Sequence, residues 1–230
     1  MKKSLVSIGI LSLLLCVSGI SVYSISIVHA QMNPAEGWAA LLEMNDYPSQ
    51  WTDLETGYAD TTKWNDTLME LGWEYDHIEI TRGDLTMNTL LNAMDFLADN
   101  ADENDIVFFY VFAHGTWMDQ QDFGGGEYLD AWGDIQSQKK LMVLSTCHSG
   151  DFIQDFEDEP APHIHISATD QGELGLAGEE TEEVSGCLFN HFLTKAFSTE
   201  TADLNDDDDV TVEEAFSYAY DHCREYIEEE

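Results

Sequence analysis

The chain has 230 residues, 43% of them hydrophobic, with 8 Lys and Arg against 46 Asp and Glu and a formal net charge of −38. That length and apolar share suffice for one ordinary domain of about 150 to 200 residues with a real core. The charge excludes binding to nucleic acid or to an anionic lipid surface, since both need clustered cations that this sequence does not have. The acidity itself reads as solubility in a salty or counterion-rich medium and does not name a substrate.

In chain order, Met1-Lys2-Lys3 is a short basic head, Leu5 to Val28 is apolar, and Val28-His29-Ala30 before Gln31 satisfies a small-residue cleavage rule. The expectation is a signal peptide over residues 1–30, with an uncleaved amino-terminal anchor as the alternative, because the stretch is nearly long enough to span a bilayer. Cys16 follows Leu15, not the small residue that a lipoprotein site needs. On either reading residues 31–230 work outside the cell, secreted or held on the outer face of its membrane, and the membrane enters only through that anchor.

Trp38 to Met44 predicts a first strand, Thr61 to Gly72 a helix with Trp64, Leu68 and Leu71 on one face, and Trp73 to Ile80 a second, alternating strand. Thr86 to Asn100 reads as an amphipathic helix capped by Thr86, with Leu90, Leu91, Met94, Leu97 and Ala98 at helical spacing. Ile106 to Ala113 is a third strand. A loop through Gly124-Gly125-Gly126 leads to a short helical stretch around Asp130 to Gln138. Leu141 to Thr146 and Ile164 to Ala168 supply two more strands, and Val212 to Tyr226 a closing helix with Phe216, Ala219, Tyr220 and Cys223 as its core face. This alternation predicts an α/β sandwich with a mainly parallel central sheet flanked by helices.

Two strand ends carry the chemistry. Phe108 to Phe112 runs into Ala113-His114-Gly115, and Leu141 to Ser145 runs into Thr146-Cys147-His148-Ser149-Gly150, each an apolar run that breaks at a reactive side chain with glycine close behind. If the two strands are neighbours, His114 and Cys147 meet at the carboxyl edge of the sheet, where open α/β sheets place ligands. A thiol needs deprotonation to act as a nucleophile, and a nearby imidazole can take its proton and later hand one to a leaving amine. Gly115 and Gly150 let backbone N–H groups approach an oxyanion, a task the Cys147 amide can share. His148 leaves the strand on the opposite side from Cys147. His163 and His165 share one strand face and read as polar strand-end residues, because no third metal ligand stands at recognisable spacing. Beyond the leader an odd number of cysteines remains, so Cys147 is the natural free thiol, while Cys187 and Cys223 are either a disulfide or two buried thiols.

These two strand ends resemble those of the caspase-like cysteine peptidases, the group of caspases, metacaspases and legumain. The likeness extends over roughly Gly37 to Tyr226 and takes in Ser167-Ala168-Thr169-Asp170 and Phe189-Asn190-His191-Phe192. It implies a caspase-like three-layer sandwich and an endopeptidase acting on protein or peptide substrates, with His114 and Cys147 as the catalytic pair and the N–H groups of Gly115 and Cys147 as oxyanion donors. The metacaspase branch carries an aspartate two residues before the nucleophile, where this chain has Ser145. The arginines of an aspartate-specific pocket are missing from Asn45 to Thr62. Ser145 and Asp170 are the candidate substrate-binding residues, and a basic residue before the scissile bond is expected ahead of asparagine, with aspartate last. Glu179 to Glu183 reads as a solvated acidic loop, so a single uncleaved chain is expected.

A second motif, residues 203–214, matches a twelve-residue calcium loop. Its oxygen donors for Ca²⁺ would be Asp203, Asn205, Asp207, the Asp209 carbonyl, Thr211 and Glu214, with Asp208 at the turn where glycine is usual. The competing reading is an acidic turn that caps the following helix. Two other functions stay open: an inactive caspase-like scaffold, and a calcium-dependent binding module.

Overall fold

A computed structural model describes residues 34–156, 163–180 and 183–229. The leader expected over residues 1–30 lies outside the described residues, as do two residues of the acidic segment Glu179 to Glu183. No helix among the described residues is long and apolar enough to cross a membrane.

Five parallel strands form the central sheet: β1 (Gly37–Glu43), β2 (Ile78–Arg82), β3 (Ile106–Phe112), β4 (Lys139–Ser145) and β5 (His163–Ser167), in the spatial order β2-β1-β3-β4-β5. The middle strands are the most apolar because helices cover both of their faces. Along β3 the side chains alternate between layers: Val107, Phe109 and Val111 enter one core, and Phe108, Tyr110 and Phe112 enter the other. The first core is closed by α2 (Met87–Asn100) and α4 (Gly126–Asp134), the second by α1 (Ala59–Glu70), α6 (Leu188–Ala196) and α7 (Val212–Glu229). Two short helices, α3 (Gly115–Gln120) and α5 (Ser149–Asp155), begin where β3 and β4 end, and a two-stranded antiparallel ladder, β6 (Ala177–Gly178) with β7 (Gly186–Cys187), precedes α6.

Local chemistry sets the element ends. Thr86 caps α2 reciprocally with Thr89: the Thr89 N–H donates to Thr86 Oγ1, and the Thr86 N–H donates to Thr89 Oγ1 at 2.7 Å. Three expectations shift. The second strand starts at Ile78, not Trp73, because Tyr75–His77 is a 3₁₀ turn and pairing with β1 begins at Ala39–Ile78. The helix after the glycine run starts at Gly126, so that Tyr128 and Trp132, one turn apart, are both buried. Leu71 lies beyond α1 and is exposed, whereas Trp64 and Leu68 are buried as expected.

The core face of α7 is also displaced. Ala215, Tyr218 and Ala219 are buried, whereas Phe216 and Tyr220 are exposed to 39% and 51%. Of the expected face, Ala219 is buried and Cys223 packs against the core, whereas Phe216 and Tyr220 lie on a second, outer apolar stripe. Cys187 and Cys223 are free thiols, both pushed up to about 12 by burial, with the Asp60 charge a further cause at Cys187. On β5 the rings of His163 and His165 stack at 4.3 Å, and burial lowers His165 to about 3, which keeps it neutral.

Candidate active site

Phe112 on β3 pairs with Ser145 on β4, so His114 and Cys147 each follow a registered pair by two residues. Parallel strands lie about 4.8 Å apart, and both side chains line one small cavity of about 50 Å³ with Leu54, Phe112, Ser145 and Cys187. Gly115 brings α3 against Cys147 so tightly that a Cβ on it would sit 2.0 Å from the Cys147 carbonyl oxygen. No residue but glycine fits there without moving Cys147. Among the described residues, the N–H groups of Gly115 and Cys147 donate to no acceptor.

Gly150 is placed otherwise. Its N–H donates to the Thr169 carbonyl at 3.1 Å, and a Cβ on it would meet the Gln171 nitrogen at 2.8 Å. The glycine is a close approach between α5 and the turn after β5, and its amide is unavailable to an oxyanion. Ser149 belongs to the same join. Its N–H donates to Thr169 Oγ1 at 3.0 Å, and its Oγ accepts the Thr169 N–H at 3.1 Å. His148, in the left-handed region at φ 58°, is not among the cavity-lining residues, and its N–H donates to the Glu173 carbonyl.

The imidazole of His114 is fixed from three sides. Its Nε2 lies 2.8 Å from the Thr52 carbonyl oxygen, its ring packs on Tyr47 at 4.6 Å, and Trp51 stacks beyond at 6.0 Å. Its backbone N–H donates to the Tyr47 hydroxyl at 2.8 Å. A carbonyl only accepts, so Nε2 carries the proton and Nδ1 keeps the lone pair. The loop that delivers Thr52 is itself pinned: the Tyr47 N–H donates to Asp53 Oδ1 at 2.7 Å, and the Leu54 N–H to the Asn45 carbonyl at 2.8 Å. Sequence reasoning missed Thr52 because its contribution is a main-chain atom. Tyr47 and Trp51 were missed with it, although two aromatic residues so close together in one loop are the signal that could have found them. On the other flank of the cleft, the Gly175 N–H points at Cys147 Sγ, 3.3 Å away.

Of the two expected substrate contacts, Ser145 is buried in the small cavity and its Oγ has no hydrogen-bond partner. Asp170 is instead exposed on the wall of a larger neighbouring cavity, and its Oδ1 accepts the Gln171 N–H. Behind Cys187 lies a carboxylate that the sequence did not single out. Asp60, at the start of α1, is fully buried and accepts from the Cys187 N–H at 2.9 Å and from the Asn190 amide at 2.6 Å. Burial, then the nearby Glu43 charge, raises Asp60 to about 7. Glu43 is likewise raised by burial, against the opposing pull of hydrogen bonds from Thr61 and Thr56.

In the calcium-like loop, Asp208 makes the turn in the left-handed region at φ 71°. Both oxygens of Glu214 face inward: Oε1 accepts from the Leu204 N–H and the Asn205 amide, and Oε2 from the N–H and hydroxyl of Thr211. The Asp203 carboxylate accepts the N–H groups of Asp207 and Asp208. Thr211 donates from Oγ1 at 2.8 Å, and its own hydroxyl oxygen takes the Glu214 N–H, so helix capping and loop closure share the same residues. Among the described residues, the His, Cys and carboxylate groups whose ligand atoms converge within 4.8 Å are those of Glu74, Asp76 and His77, outside this loop.

A parallel sheet between two helical layers, with a thiol and an imidazole delivered side by side from adjacent strand ends, defines a caspase-like sandwich. Residues 36–220 match the family model of the caspase domain, and the chain belongs to that family. Membership places it among the cysteine-type peptidases, whose substrates are proteins or peptides. A search of curated proteins finds no match.

Proposed function

We infer that the cleft hydrolyses peptide bonds with Cys147 as nucleophile and His114 as its acid–base partner. The observation that carries this reading is the shared cavity at matched register, with Nε2 of His114 committed to the Thr52 carbonyl. That commitment leaves Nδ1 to take the thiol proton and to return it to the departing amine. Cys147 Sγ forms the bond to the carbonyl carbon, and the N–H groups of Gly115 and Cys147, otherwise without acceptors, receive the oxyanion. Water then releases the acyl group from sulfur. The Gly175 N–H, 3.3 Å from Sγ, holds the sulfur from the other flank of the cleft.

Ser145, with its unsatisfied hydroxyl, floors the cavity for the residue before the scissile bond, and the Asp60 carboxylate lies behind it. Alongside Leu54, a second cavity of about 420 Å³ is walled by Asp46, Asp53, Glu55, Glu179 and Glu180. A substrate side chain that is positive or a neutral amide meets this field favourably, and an aspartate does not. Asp170 contacts substrate further from the bond. The test is a fluorogenic peptide panel on the protein and on Cys147→Ala: cleavage after Lys, Arg or Asn that vanishes in the variant is expected, whereas preferential cleavage after Asp overturns the preference and turnover by the variant overturns the mechanism.

A second reading concerns residues 203–214. Asp203, Asn205, Asp207, the Asp209 carbonyl, Thr211 and Glu214 would hold Ca²⁺, a hard cation that takes oxygen ligands throughout. Support comes from the inward-facing Glu214 and from Asp208 adopting the turn that the glycine of such loops makes. Calcium there would tie the loop to the first turn of α7. Export of the domain by residues 1–30 completes the proposal, and recovery of the protein outside the cytoplasm, with or without the leader attached, is the measurement that checks it.

A further inference from the structure

At the amino ends of the strands, on the far edge of the sheet from the cleft, three ligand-bearing side chains converge. Glu74, Asp76 and His77 each bring one oxygen or nitrogen donor to within 4.8 Å of the others. The strand pairings are all parallel, so the start of β2, where these residues stand, and the carboxyl ends of β3 and β4 lie at opposite edges. The cluster shares no residue with the catalytic cavity or the calcium-like loop. Local geometry explains the convergence. Tyr75–His77 is a 3₁₀ turn closed by the His77 N–H on the Glu74 carbonyl at 3.1 Å, and three residues per turn bring position 77 back over position 74.

Both ends of this turn are held against the first two residues of β1. The Trp73 indole covers Gly37 so closely that a Cβ there would lie 2.4 Å from the ring. The His77 ring stacks on Trp38 with 3.7 Å between centroids and 14° between planes, which fixes the imidazole by its face and leaves the in-plane nitrogens to bind. Glu74 and Asp76 are exposed, and among the described residues none of the three side chains makes a hydrogen bond or an ion pair. An adjoining cavity of about 250 Å³, walled by Glu36, Glu74 and His77, admits solvent to the donors. Donors held about 2.1 Å from one tetrahedral ion stand about 3.4 Å apart, so a small rotation of the two carboxylates completes the approach.

We propose that Glu74, Asp76 and His77 form a site for a divalent transition metal of the zinc class, with water completing the coordination. The acidic surface draws divalent cations in general, and the imidazole makes the choice among them: calcium and magnesium take oxygen ligands, whereas one nitrogen with two carboxylates suits zinc. Four consecutive residues on a turn pinned at both ends supply the ligands, so little ordering opposes binding. The ion would clamp the turn that leads into β2, an edge strand whose pairing with β1 starts at Ala39–Ile78. Its role is structural and independent of hydrolysis at the other edge.

The experiment is a calorimetric titration with Zn²⁺ on full-length Cys147→Ala, which removes the catalytic thiol as a competing ligand, in millimolar Ca²⁺ to occupy the acidic loop. One Zn²⁺ per chain is expected. Glu74→Gln and Asp76→Asn each alter an exposed side chain without hydrogen bonds, so the fold survives, and each should weaken binding about tenfold or more. His77→Gln should do the same. Zn²⁺ should raise the urea midpoint of Cys147→Ala and leave that of the same protein carrying both carboxylate changes where it was. Zn²⁺ bound equally well by the three variants, no heat up to millimolar Zn²⁺, or a midpoint that rises alike with and without the two carboxylates overturns the site.

Discussion

Replacing Asp60 by asparagine isolates the buried acid behind the cleft. The carboxyl group is raised from 3.8 to about 7, burial being the main cause and the Glu43 charge the second, a climb worth ~4 kcal/mol at about 1.4 kcal/mol per unit. Between those two values the folded chain keeps a proton that the unfolded chain has released. Stability therefore falls as pH rises from about 4 to 7, and above pH 7 the whole penalty is present. The introduced carboxamide would still accept the Cys187 N–H, and its amide nitrogen would face the carboxamide of Asn190, whose own oxygen is buried without a partner. A turn of the Asn190 amide then satisfies both. In urea titrations the Asp60→Asn variant should exceed the parent by no more than ~1 kcal/mol near pH 4.5 and by ~2 kcal/mol or more at pH 8, some of the penalty being lost to relaxation. Taking the difference between the two proteins cancels the general repulsion among the other carboxylates. A difference that is flat with pH, or a variant less stable at pH 8, would refute the argument.

Four further outcomes are expected. Gly115→Ala, whose Cβ would lie 2.0 Å from the Cys147 carbonyl oxygen, should displace Cys147, lower kcat by about 100-fold or more and cost about 1–3 kcal/mol in urea titration. Tyr47→Phe leaves the His114 N–H without its acceptor, and should cost about 1–3 kcal/mol of stability and reduce kcat, both measurable on one preparation. Gly186→Ala combines a φ of 77° with a Cβ 2.6 Å from Asp60 Oδ1, and chemical denaturation should register a loss of about 1–3 kcal/mol. For the calcium loop, Ca²⁺ at one hundred times its dissociation constant should stabilise the protein by about 2.7 kcal/mol, and Glu214→Gln should remove most of that gain; no heat on calorimetric titration to millimolar Ca²⁺ ends the claim.

Much of the architecture could be read before any coordinates. β3 is apolar throughout and β4 is apolar from Leu141 to Leu144, so their burial and the reactive residues at their ends could be read from the runs, and the parallel pairing assumed for them is the one observed. What escaped was of three physical kinds. Thr52 acts through its carbonyl, which no side-chain pattern encodes. Asp60 falls just before the expected helix Thr61 to Gly72 and drew no notice, and only the packing of β7 and α6 over it buries the charge. The α7 faces were confused because both stripes are apolar, and periodicity does not say which of two such faces meets the core. The role of Gly150 was misjudged for a related reason. A glycine after a strand end signals close approach, but not whether the approaching group is substrate or, as here, the turn after β5.

Because the partner of His114 Nε2 is the peptide oxygen at position 52, every one of the twenty amino acids provides it equally well. No point substitution there can delete the group itself. What the arrangement depends on is the chain length between Tyr47 and Leu54, held at one end by Asp53 and at the other by Asn45. Adding or removing one residue in that interval would rotate a different carbonyl toward the ring, or none. The segment is thus free in spelling and rigid in count, and a scan by insertion would find a sensitivity there that a scan by alanine would overlook.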